Sequence, residues 1–296
     1  MPYITASIDE LSNSHRALRK RRERRAAIIK HIFLLAFSFL MIYPLLWLFA
    51  SSLKPENEIF GQLSLWPSKF LWKNYPEGWN GLVVSFSCFF KNSAFVTVMA
   101  VLGNVLSSSF AAYAFARLRF AGKNIFFALM MMTLMIPYHV VLIPQYLLFL
   151  KAGWVNTYLP LIVPKFLAGE AFFIFLMVQF FRQLPRELDE AAMIDGCSPF
   201  KIYWAIIMPL SLPALATAAI FSFIWTWEDF LPPLIYLNDI KDYTVPLALR
   251  MFLAQDSVSE FGQMFAMSIL SILPILIFFV IFQKFIIRGI AMSGFK

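Results

Sequence analysis

Few residues in this chain carry the chemistry of catalysis, and they are not grouped. The histidines His15, His31 and His139 and the cysteines Cys88 and Cys197 stand far apart and at no metal-ligand spacing, so neither a metal centre nor a disulfide framework is expected. A phosphate-cradling loop ends in Gly-Lys followed by Ser or Thr; here Gly122-Lys123 is followed by Asn124, and Arg117 stands where the first glycine belongs. ATP hydrolysis by this chain alone is therefore not expected, and no cofactor is assigned to it. What remains is a set of ionisable groups in apolar surroundings: Lys165 and Glu170, and Glu228 and Asp229 just after Trp225 and Trp227. A charge at membrane depth is expensive and marks a solute pathway by default. Glu228 and Asp229 also precede Pro232-Pro233, where a helix loosens and freed backbone groups need partners. Lys165 and Glu170 are five residues apart. That offset is about 140° around a helix of 3.6 residues per turn, so they are not expected to pair along one face, and Lys165 is expected to snorkel outward.

The elements that position these groups are membrane helices. Hydrophobic residues make up 60% of the 296 and charged residues 14%, well below the quarter usual for a soluble domain. Five runs contain no Asp, Glu, Lys or Arg: Ile32 to Leu53, Asn92 to Ala116, Asn124 to Leu150, Ile202 to Trp227 and Phe261 to Gln283. Each reaches the roughly 20 residues that a crossing helix needs. An outer-membrane barrel, which reads as short alternating segments, is excluded. The basic clusters Arg117, Arg119, Lys123 and Arg182, Arg186, Lys201 both belong to the cytoplasmic side, so the chain must cross once more between them. The expectation is an all-α integral membrane protein of six transmembrane helices, near 30–52, 92–116, 124–147, 157–181, 210–235 and 264–287, within a membrane domain over 30–290. A basic tail (1–29) and a short tail (291–296) are both expected in the cytoplasm.

Charge supports this map. The four segments assigned inside hold 17 of the 25 lysines and arginines. The net charge of +8 and the basic run from Arg16 to Arg25 invite a nucleic-acid reading, but the run abuts the first span, where it orients the chain and meets anionic lipid. The first apolar run is too long for a cleaved signal and is expected to stay as an anchor. Residues 54–91, with Trp66, Trp72 and Trp79, and residues 238–263 form the external loops.

One segment of the 182–209 loop has a local logic of its own. From Arg186 it reads Glu187-Leu188-Asp189-Glu190-Ala191-Ala192-Met193-Ile194-Asp195-Gly196-Cys197-Ser198-Pro199-Phe200 and runs on to Ile206-Ile207-Met208-Pro209. Pro185 starts a short helix, acidic residues sit in its first turns where the dipole favours them, Gly196 allows a turn, and Ser198-Pro199 opens a second helix. Ala191 and Ala192 keep one face low enough to dock into another protein's groove.

With these residues the chain resembles the permease subunits of bacterial ATP-binding-cassette importers, whose signature is E-A-A, three residues, G, nine residues, I, one residue, L-P. Glu190, Ala191, Ala192, Gly196, Ile206 and Pro209 fall on it, with Met208 in place of leucine. The resemblance covers almost the whole chain and is nearest to carbohydrate-uptake permeases of the maltose-transporter type. Ile136-Pro137, Ile143-Pro144, Phe223 to Phe230, and Gln283-Lys284 through Gly289 to Lys296 also match. It implies a cytoplasmic coupling helix between spans four and five, with Glu190, Ala191, Ala192, Asp195, Gly196, Ser198, Pro199 and Pro209 engaging an ATPase. It further implies a homologous second permease, two ATPase subunits that hold ATP and Mg, an extracytoplasmic solute-binding protein and a bacterial cytoplasmic-membrane location. Lys165, Glu170, Trp225, Trp227, Glu228 and Asp229 would then line the carbohydrate path, with Lys165 near its outer mouth favouring an acidic sugar. The rival is an ion-coupled secondary transporter, which inverted repeats and paired midplane carboxylates would favour. Neither feature stands out.

Overall fold

A computed structural model of the chain describes the backbone of residues 2–61, 64–253 and 260–293, and the side chains of residues 22–61, 64–253 and 260–285. The side chains of His15 and of Arg16 to Arg21, and residues 294–296, lie outside the described residues. Every regular element described is helical: α1 (Pro2–Ser51), α2 (Glu56–Ile59), α3 (Asn74–Asn80), α4 (Phe86–Arg117), α5 (Lys123–Thr133), α6 (Tyr138–Lys151), α7 (Leu159–Phe166) and α8 (Ala171–Gln183) in the first two thirds. There follow α9 (Glu187–Ile194), α10 (Pro199–Ile202), a π-helical turn (Tyr203–Ile207), α11 (Met208–Leu210), α12 (Leu212–Trp227), α13 (Leu231–Tyr236), α14 (Val245–Met251) and α15 (Phe261–Ser293).

Four helical segments, Arg22–Ser51, Phe86–Arg117, Leu159–Gln183 and Phe261–Phe285, are long and apolar enough to cross a membrane. Two bent pairs raise the number to six if each crosses once: α5 with α6, bent by 100°, and Pro199–Leu210 with α12, bent by 77°. The third span expected near 124–147 is therefore broken, whereas the 77° bend falls at Ser211, at the edge of the span expected near 210–235, which is itself interrupted between α12 and α13; prolines flank these breaks. Pro137 caps α6 with ψ 131°, and the residue before a proline avoids the helical region. Pro209 cannot donate to the ladder, and the π-helical turn ends two residues before it, at Ile207. The fourth span is interrupted between α7 and α8, where Ala168 adopts φ +55°.

α4 is the centre of the bundle, packed against α7, α8 and α12. Its buried face is built of small and weakly polar side chains, Ser93, Thr97, Ala100, Gly103, Asn104 and Ser108, which let neighbouring backbones approach closely in lipid. At Gly103 the approach is closest: a Cβ there would lie 2.7 Å from the Phe166 ring and 3.0 Å from the Lys165 carbonyl carbon. At one end α4 meets α8 and residues 192–207 in a cluster around Phe173, Met177, Phe181 and Tyr203. At the other end it meets α12, α14 and α15 around Phe86, Phe89, Trp227 and Phe252.

The apolar part of α1 stands off this bundle with almost all of its large side chains exposed, joined to it near Trp47, which packs edge-on to Phe265. The 54–91 segment, by contrast, is tied down. Lys54 is buried and donates to the Ser64 carbonyl, Asn74 donates to Ser52 O at 2.9 Å, and Glu56 accepts from the Gly262 amide at 2.7 Å. The Glu58 carboxylate accepts from both the hydroxyl and the amide of Ser68, and these bonds hold its pKa below the usual carboxylate range.

Candidate functional site

The segment singled out by its acidic helix and glycine is a helical hairpin. α9 begins at Glu187, two residues after Pro185, with Glu187, Asp189 and Glu190 in its first turn. It ends in a Schellman closure: Gly196, at φ +78°, donates to Met193 O at 3.0 Å, and Cys197 donates to Ala192 O at 2.9 Å. Ser198 caps α10 by accepting from the Lys201 amide, and Pro199 takes the first helical position.

The hairpin has an inner and an outer face. Ala192 is buried against the chain's own Tyr203 and Phe181 cluster, so its small size serves internal packing, not the docking into another protein's groove expected from the sequence; only Ala191 of the pair is exposed. Outward project Leu188, Met193 and Ile194, with Ile194 87% exposed, beside Glu190 and Asp195, which have no side-chain partner among the described residues, while Phe200, though exposed, stacks on Phe110 of α4 at a ring-centroid distance of 6.4 Å. Pro209 lies elsewhere, between the π-helical turn and the bend at Ser211.

Three residues outside the expected set bolt the inner face to α4. Arg117 pairs with Asp189 at 3.2 Å and donates to Leu184 O at 2.8 Å, its side chain 3% exposed and that of Asp189 14%. Tyr113 donates to Pro199 O at 3.0 Å, and Ser109 shares a hydroxyl bond with Tyr203 at 2.6 Å. The sequence offered Arg117 as a topological charge; its position at the last residue of α4 also makes it a tether.

Deeper in the bundle lies a cavity of about 740 Å³ between α4, the α5–α6 pair, the α7–α8 break and the α12–α13 corner. Lys165, Glu170, Trp225 and Asp229 line it, while Trp227 and Glu228 do not. Trp227 is buried against Phe223 and spends its indole N–H on Ser271 O at 3.0 Å, and Glu228 faces outward, so neither joins the site expected of it. Lys165 and Glu170, expected apart, form an ion pair. The helical offset fails because residues 167–170 are not helical: the break, with Ala168 at φ +55°, changes the angular offset and lets the two side chains meet. The joint is fastened from α4. Asn104 donates to Glu170 Oε2 at 3.2 Å and to Ser222 Oγ at 2.9 Å, and Ser107 donates to Lys165 O at 2.7 Å. Asn104 was invisible as a site residue in the sequence, since one asparagine in an apolar run carries no spacing signal. Trp225, 47% exposed, leans on Phe172 and Phe173 at ring-centroid distances of 5.0 and 5.3 Å. Thr97, Tyr138, Gln145 and Thr226 add polar groups to the wall.

Comparison with known proteins gives this arrangement a context. Residues 103–292 match the family described as binding-protein-dependent transport system inner membrane component. The chain is 34% identical over 266 residues to the probable ABC transporter permease protein YurM of Bacillus subtilis (strain 168), covering 90% of this chain and 87% of that one. It is 34% identical to the arabinooligosaccharides transport system permease protein AraQ of Halalkalibacterium halodurans (88% and 92% covered) and 31% identical to the trehalose/maltose transport system permease protein MalG of Thermococcus litoralis (92% and 99%). Its fold matches a chain in the crystal structure of a bacterial ABC transporter involved in the import of the acidic polysaccharide alginate, with a TM-score of 0.77 at 23% identity over 89% of this chain and 97% of that one. The chain belongs to the binding-protein-dependent transport system inner membrane component family, and is thus a multi-pass inner-membrane permease subunit of an ATP-binding-cassette importer, whose ATPase and solute-binding protein are separate chains.

Proposed function

We propose that this chain forms part of the path by which an oligosaccharide crosses the cytoplasmic membrane, and that its 187–202 hairpin couples that path to ATP hydrolysis on a partner. In this reading six spans carry both termini to the cytoplasm, a homologous but different permease completes the path, and two ATPase subunits supply ATP and Mg. The solute-binding protein delivers its sugar to the 54–91 and 238–263 segments. The oligosaccharide assignment draws on relatives named for arabinooligosaccharides and trehalose/maltose. The orientation draws on the placing of 17 of the 25 basic residues in the segments assigned inside.

The observation that carries the coupling role is the two-faced hairpin: an outer surface of Leu188, Met193 and Ile194 left open to a partner, and an inner surface bolted by Arg117 and Tyr113 to the central helix. A push on the outer face is delivered to α4 and α8, the helices that wall the cavity. The cavity residues Lys165, Glu170, Trp225 and Asp229 are assigned to the sugar path on the same footing. Reconstitution of the complete importer with its binding protein, offered a panel of oligosaccharides, tests the function. ATP-dependent uptake of at least one of them is expected, and uptake of none rejects it.

A further inference from the structure

The charges on the cavity wall decide what kind of sugar fits. Among the described residues Lys165 is the one basic residue that lines it, and Lys165 is already paired with Glu170, which Asn104 holds in place at 3.2 Å. Asp229, half-buried, is the third charged residue on the wall and has no cation within ion-pair distance among the described residues. The wall therefore carries one cation and two carboxylates. A sugar carboxylate entering it finds no free cation among this chain's lining residues, meets a like charge in partly dry surroundings, and engages Lys165 only by leaving Glu170 without its counter-ion. A neutral sugar meets none of these costs. A carboxylate is an acceptor only, and sugar hydroxyls are donors to match it. The exposed part of Trp225 offers an apolar surface to the C–H face of a sugar ring, backed by Phe172 and Phe173.

We propose that this cavity selects uncharged, polyhydroxylated oligosaccharides over uronic-acid oligomers, with Asp229 as the specificity-determining residue and Trp225 as the stacking surface. This reverses the sequence-based expectation for Lys165, which required that lysine to be free. It rests on the carbohydrate reading above.

The test is equilibrium binding to the purified complete importer in nanodiscs, without the binding protein so that delivery does not filter the ligands. The probes are a radiolabelled neutral arabinose or glucose tetrasaccharide and a uronic-acid tetrasaccharide of equal length. The neutral probe is expected to bind about tenfold tighter, a preference worth about 1.4 kcal/mol. Asp229→Asn is expected to narrow that ratio to threefold or less, and Glu170→Gln, which frees Lys165, to strengthen uronate binding. Assembly with the ATPase, followed by size-exclusion chromatography, identifies variants that fail to fold. Equal or tighter binding of the uronate by the parent overturns the proposal, as does an unchanged ratio in an assembled Asp229→Asn importer. If neither saccharide binds at millimolar concentration, this cavity is not the sugar site and the selectivity proposal is overturned, while the carbohydrate reading itself is decided by the uptake panel.

Discussion

The tether between Arg117 and Asp189 is the joint on which the coupling argument turns, and a double-mutant cycle tests it. With side chains 3% and 14% exposed, the pair is largely withdrawn from water, so removing one partner leaves the other charge uncompensated. That loss costs about 3–5 kcal/mol for a buried pair, and the residual exposure of Asp189 places Arg117→Met toward the lower figure. The bond to Leu184 O adds a charge-assisted hydrogen bond worth about 1.5–3 kcal/mol. Asp189→Leu alone should cost a similar amount, since it strands the arginine. The double variant Arg117→Met/Asp189→Leu leaves no buried charge and should recover at least about 2 kcal/mol of the summed single losses. Unfolding of the purified importer in detergent measures the stabilities, and sugar taken up per ATP hydrolysed measures the coupling. Because the double variant restores burial without restoring the bolt, its stability should recover while its transport per ATP stays low. Additive losses within about 0.5 kcal/mol would refute the pairing, and full recovery of transport in the double variant would refute its role in coupling.

Further expectations follow from single residues. Cys197, half-buried at the hairpin turn, should react with thiol reagents from the cytoplasmic side, more slowly than Ile194→Cys at the open tip; labelling of either from outside intact cells would overturn the topology. Gly196 sits at φ +78° with open space where a Cβ would be, so Gly196→Val should cost about 1–2 kcal/mol of backbone strain alone and Gly196→Asn less, read out as thermal stability and as ATP-driven uptake at equal membrane abundance. Ala191→Trp should leave the fold intact and cut ATP-coupled uptake, whereas Ala192→Trp should fail to assemble; assembly assays that rank them the other way contradict the packing. Glu58, whose pKa is lowered by Ser68, contributes stability that is fully present above its unfolded value of about 4.3 and is lost as pH falls through the lower folded value. Acid-induced proteolytic opening of the 54–91 segment should therefore be blunted in Glu58→Gln.

The sequence disclosed those parts of this molecule that rest on runs and caps. Long uncharged stretches gave the membrane helices, and the order of proline, acids, glycine and Ser-Pro gave the hairpin, because each of those residues acts on its own backbone. What stayed hidden depends on neighbours distant in the chain. The offset of Lys165 from Glu170 assumed a helix that residues 167–170 do not form, and the ion pair exists because of that interruption. Ala191 and Ala192 are adjacent and alike, yet one faces out and the other into the Tyr203 cluster, a choice set by how α9 rests on α8 and α4. Trp225 and Trp227 also differ by two positions on one helix, about 200° apart, so only the first lines the cavity.

The most direct test of the central claim is a photo-crosslinking residue placed at Ile194, the most exposed large apolar side chain of the hairpin, in the assembled importer. If the hairpin transmits ATP energy, illumination should join this chain to the ATPase subunit, and the adduct should lock uptake. An importer that remains active and yields no adduct with the ATPase from this position, while labelling other proteins or lipid, would contradict the account.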